Sequence, residues 1–146
     1  MKLWLSCLVV SLVLFNCALF PAPIKPDVGA DPNIPAVSIK TQIAEISPKE
    51  DAVDVATISQ VKVVFKVDSL NLATTPRSLC VLLDQKGRKI DCQIKCCPGR
   101  ICLIPDKRLD PATKYFVTIT NLAYVKESQI LKELRGALVW SFVTGA

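Results

Sequence analysis

The chain has 146 residues, a formal net charge of +5 and no histidine. Its length suits one domain on one core, and the missing imidazole removes Ser-His and Cys-His nucleophile activation together with the commonest metal ligand. No glycine-rich phosphate loop is present, so the expectation is a protein that is not an enzyme and needs no cofactor or metal.

Charge and composition narrow the partners and the fold. Seven basic residues lie between Lys86 and Arg108, interrupted by Asp91 and Asp106, with no aromatic side chain among them on which a base could stack. That pattern argues against a nucleic-acid partner. Valine, isoleucine and threonine are abundant and glycine is sparse, which favours strands.

Met1-Lys2 leads into an apolar run from Leu3 to Phe20, broken by Ser6, Ser11 and Asn16 and closed by Pro21 and Pro23. Residues 1–20 have the build of a secretory signal. Within it Leu14-Phe15-Asn16-Cys17 resembles the lipobox of bacterial lipoproteins, which makes Cys17 the candidate lipidated residue. Simple cleavage and an uncleaved anchor are the alternatives, with Cys17 then one more apolar side chain. Residues 21–37, rich in proline, cannot sustain a helix or a sheet ladder and are expected to be a tether. The chain is therefore expected to be exported, either held at the cell envelope or secreted, meeting membrane only through that anchor or lipid.

Residues 38–146 are the expected folded domain. Ser38 to Ile46 reads as a first strand at a sheet edge, and Ser47-Pro48 ends it. Val55 to Asp68 carries a second: Val61, Val63, Phe65 and Val67 point one way, Lys62 and Lys66 the other.

The cysteine-rich middle is expected to form two hairpins. Gln85-Lys86-Gly87 suits a three-residue loop with Gly87 left-handed, setting Leu82 opposite Ile90 and Cys80 opposite Cys92. A second three-residue loop at Pro98-Gly99-Arg100 sets Cys96 opposite Cys102 and Ile94 opposite Ile104. Cys80, Cys92, Cys96 and Cys102 then share one apolar face. Disulfides Cys80–Cys92 and Cys96–Cys102 are the preferred pairing for an exported chain. Reduced cysteines packed as small hydrophobes are the second account, and a four-sulfur zinc site, which lacks the usual knuckle spacing, is the third. Cys97 points the other way as a free thiol, open to an intermolecular bond or, with Cys96, to redox chemistry.

Leu109-Asp110-Pro111-Ala112-Thr113-Lys114-Tyr115 reads as a turn feeding a strand in which Tyr115, Val117 and Ile119 face the core. A tyrosine just past such a corner suits a ring packed inside with its hydroxyl on an upstream backbone group. Ile130, Leu131 and Leu134 have helical spacing and predict a short helix over 124–134, before a closing strand with Trp140 and Phe142.

Ile46-Ser47-Pro48, Ala52-Val53-Asp54-Val55 and Val61-Lys62-Val63-Val64-Phe65, followed by the Asp110-Pro111 corner and the end Leu138-Val139-Trp140-Ser141-Phe142-Val143-Thr144-Gly145, resemble the SbsA-type bacterial Ig-like domain over about Ile43 to Gly145. The resemblance implies an all-β antiparallel sandwich of about seven strands, with Phe65, Tyr115, Trp140 and Phe142 as core markers. It also implies a module of bacterial surface or secreted proteins, used in protein–protein interaction, adhesion or assembly. The competing expectation is binding of wall carbohydrate or anionic lipid through Lys86, Arg88, Lys89, Lys95 and Arg100. A thiol redox protein is a remote third.

Overall fold

The computed structural model describes residues 33–67 and 69–146. The signal, Cys17 and most of the tether lie outside the described residues. Ten strand segments form two stacked sheets: β1 (Ala36–Ser38), β2 (Ile43–Ser47), β3 (Ala52–Val55), β4 (Val61–Phe65), β5 (Asn71–Asp84), β6 (Lys89–Ile90), β7 (Cys92–Cys97), β8 (Arg100–Pro105), β9 (Lys114–Lys126) and β10 (Gln129–Thr144). The larger sheet has the order β1-β10-β9-β5-β6, with β3 also on β10, and the smaller has the order β2-β4-β8-β7. No α-helix occurs among the described residues.

Strand alternation builds the core as the sequence pattern requires. Val61, Val63 and Phe65 of β4 and Ile101 and Leu103 of β8 meet Leu82, Tyr115, Val117, Ile119, Trp140 and Phe142 of the larger sheet. The four marker aromatics are all buried. Tyr115 stacks on Phe142 with ring centroids 5.7 Å apart, and Phe65 meets Tyr124 edge-on at 6.3 Å. The Trp140 indole N–H donates to the Pro48 carbonyl at 2.9 Å, tying the closing strand to the Ser47-Pro48 turn.

Three expectations are corrected. The first strand is two: β1 starts at Ala36, inside the expected tether, and pairs parallel with β10. A 3-10 turn over Ile39–Gln42, anchored by buried Ile39, then carries the chain to β2 in the other sheet. The short helix over 124–134 is instead the tip of the β9–β10 hairpin, where Glu127 and Ser128 both take positive φ. Such a turn matches the twist of the flanking strands; Leu134 then faces the core, whereas Ile130 and Leu131 stay exposed. Finally, the second cysteine hairpin turns on Pro98-Gly99 alone, so Cys97 pairs with Arg100 and Cys96 with Ile101. A one-residue change of register sends alternate side chains to the opposite face.

Two strands join β10 in parallel at its opposite ends: β1 beside Glu133 to Arg135, and β3 beside Phe142 to Thr144. β10 is thereby the longest strand and the one that both N-terminal segments hold.

Candidate interaction surface

The outer face of the larger sheet is built from the positions left over when β5, β9 and β10 turn their alternate residues inward. The registers line up Leu83, Phe116 and Ser141; then Val81, Thr118 and Val139; then Leu79, Thr120 and Ala137. None of these side chains carries a charge. Val139 is 56%, Leu79 48% and Phe116 38% exposed. Beyond them Val53, on β3, is exposed as well. Charges flank this patch: Lys114 reaches over the Phe116 ring at 5.4 Å, Lys89 neighbours Leu83, Asp51 accepts from the Ser141 hydroxyl at 3.4 Å, and past Ala137 the β10 residues Glu133 and Arg135 form an ion pair. In the sequence, period-two alternation marks the inward half of these strands, and the outward half stands out less. The signal was there, because Val81, Leu83, Phe116 and Val139 occupy positions where a solvated sheet carries polar residues.

The five expected basic binding residues do not share one face. Lys86, Arg88 and Lys89 belong to the β5–β6 hairpin, while Lys95 and Arg100 sit on β7 and β8 of the smaller sheet. Arg88 is engaged: its Nε donates to the buried Asp84 carboxylate at 2.7 Å, and the Lys86 and Arg88 amides donate to the same carboxylate at 2.9 Å. Burial alone would raise the Asp84 pKa; the bonds from Arg88 and Lys86 outweigh it and hold the carboxyl below its ordinary value. The hairpin is thus a carboxylate-braced turn. Lys95 and Arg100 instead join Lys62 on the smaller sheet's outer face, where Lys62 and Lys95 flank Cys102 on neighbouring strands.

The cysteines divide by sheet and by face. Cys80 stands opposite Ile119 on β5, whereas Cys92 has left that sheet for β7. Cys102 shares the outer face with Cys97, and Cys96 faces inward opposite Ile101. The expected single face of four cysteines is therefore not formed, and Cys80, Cys92, Cys96, Cys97 and Cys102 all carry free thiols. Burial pushes the Cys80 and Cys92 thiols up to about 11 and raises that of Cys96, so all three are poor nucleophiles at neutral pH.

The corner beside the β5–β6 hairpin, where Tyr115 pairs with Asp84, matches its expected form. The Asp110 amide donates to the Tyr115 hydroxyl at 2.8 Å. Thr144 Oγ1 donates to the Asp110 carbonyl at 2.6 Å and accepts from the Thr113 amide at 3.0 Å. A cleft of about 310 Å³ beside this corner is lined by Lys89, Asp91, Asp106, Lys107, Arg108 and Asp110, with Ile90, Leu109 and Tyr115 at its base. Cations and carboxylates alternate around it, leaving no field of one sign to select a charged ligand.

Residues 37–144 match the family model described as bacterial Ig-like domain. Among solved structures, CopC from Methylosinus trichosporium OB3b is similar at 14% identity over 71% of this chain and 92% of its own, with a TM-score of 0.44. The LD transpeptidase LdtMt1, in complex with imipenem, is similar at 19% identity over 71% of this chain and 39% of its own, also with a TM-score of 0.44. The comparison with curated proteins gives no match.

Proposed function

The chain belongs to the bacterial Ig-like domain family, and on that premise we propose that it is a non-catalytic module of an exported bacterial protein, working by contact with a protein partner at the cell envelope. The observation that carries this reading is the uncharged patch on the outer face of β5, β9 and β10, with Leu79, Phe116 and Val139 exposed within it. A sheet face open to water ordinarily carries polar side chains, and exposed apolar patches on soluble domains mark interaction sites. A partner presenting an apolar surface gains most there, and its binding resists salt.

A photo-crosslinking side chain placed at Val139 of the full chain tests this in the native envelope. One defined protein adduct is expected from Val139 at both low and high salt, and none from a probe at Lys95 on the opposite face. Equal labelling from both positions, or adducts that vanish in salt, would sink the reading.

A second reading draws on the Lys62, Lys95 and Arg100 cations of the smaller sheet: contact with an anionic wall polymer or lipid headgroup. It predicts sedimentation with purified envelope at low salt that is lost at high salt and on reversing those three charges.

A further inference from the structure

We propose that Cys80 and Cys96, free thiols in this structure, oxidise to a disulfide that links the two sheets across the side of the sandwich where β5 and β7 face each other. Three features bring these sulfurs together. β5 and β7 belong to different sheets, yet run alongside one another and are joined by a backbone bridge between Asn71 and Pro98. The Cys96 thiol lies within hydrogen-bonding reach of the Thr74 amide of β5. Thr74 pairs with Leu122 and Leu79 with Thr120, so residues 75–78 bulge out of the ladder. That bulge shortens the path along β5 from Thr74 to Cys80, and the Cys96 sulfur is near enough to add to the burial that raises the Cys80 thiol.

Both side chains point inward and pack half-buried against the core. The geometry also selects against the other thiols. Cys97 and Cys102 are also near enough for the Cys96 thiol to feel them, but they sit on the outer face while Cys96 faces inward, and the Cys92 thiol feels Asp106, Asp91 and Lys89 rather than another sulfur. Burial penalises a thiolate at Cys80 and Cys96 alike, whereas a neutral disulfide fits the apolar surroundings without that penalty.

The oxidant is a disulfide donor, either a small-molecule disulfide or the disulfide of an oxidoreductase. The two thiols give up their protons and two electrons, the donor's S–S bond breaks as the Cys80–Cys96 bond forms, and the donor leaves as two thiols. A bond closing a loop of roughly 15 residues should raise Tm on the order of 10 °C.

Trypsin separates the relevant sulfurs, because Arg77, Lys86, Lys95, Arg100 and Lys107 bracket them. The full chain, refolded with glutathione disulfide, alkylated and digested, is expected to yield Ser78–Lys86 linked to Cys96–Arg100. Cys96→Ser and Cys80→Ser should each abolish that species and the Tm gain, while Cys97→Ser should leave both intact. Alkylation of every thiol, a link from Cys80 to the peptide carrying Cys92 or Cys102, or a link that survives Cys96→Ser would overturn the assignment.

Discussion

Tyr115 and Tyr124 are both buried, but their hydroxyls have opposite fates. The Tyr115 oxygen accepts the Asp110 amide, whereas the Tyr124 oxygen has no hydrogen-bond partner among the described residues. Removing a satisfied hydroxyl costs stability and removing an orphaned one does not. Tyr115→Phe is therefore expected to lose about 1 kcal/mol in urea unfolding, and Tyr124→Phe to be neutral or to gain up to about 1 kcal/mol. Asp84 gives the pH counterpart. Its folded pKa is lowered, so the unfolded chain takes up the proton first; the stabilisation is present above roughly pH 4 and is lost as pH falls through the folded value. Asp84→Asn should lower Tm at neutral pH and flatten the acid limb of a Tm–pH profile. Equal pH dependence in the two proteins would refute that role.

Among the elements, the bulges in β5, β9 and β10 lie at one level of the larger sheet, and Asn121 holds them in step. Its backbone takes φ +51°, its Nδ2 donates to the Arg77 carbonyl at 3.2 Å, and its Oδ1 accepts the Gly136 amide at 3.3 Å. Its own carbonyl accepts the Thr75 and Ser78 hydroxyls. Asn121→Ala should cost about 2 kcal/mol, because it loses both side-chain bonds and puts alanine in a left-handed backbone; Asn121→Gly, which is at ease there, should recover about 1 kcal/mol of that in the same denaturation experiment. This region shows what a sequence can disclose. Period-two alternation made the inner faces of β4, β9 and β10 legible, and Asp110-Pro111 disclosed the corner, since both signals are local. The register at Pro98-Gly99 was not legible: two-residue and three-residue loops fit the same residues, and the choice is made by pairing between β7 and β8. The helical spacing of Ile130, Leu131 and Leu134 was overruled in the same way, by thirteen residues of β9 offering a ladder. Likewise the cysteine face depended on where the chain changes sheets at Asp91, which no local pattern encodes.

At the scale of the molecule, the two outer surfaces differ in kind, one holding an uncharged and largely apolar patch, the other carrying Lys62, Lys95 and Arg100. Phe116 and Val139 are already in water, so Phe116→Lys with Val139→Glu should change stability by less than about 1 kcal/mol while abolishing the Val139-side adduct, now probed from Leu79. Loss of fold together with loss of the adduct would mean that the face is structural. The parallel seating of β1 and β3 against β10 has a mechanical consequence. Tension applied through the segment entering Ala36 and the one leaving Thr144 drags β1 and β10 in opposite directions along their shared axis. The bonds between them are then loaded in shear, all at once, rather than peeled one by one. An element stretched between an anchor and a load would resist extension at the seam where its two ends meet.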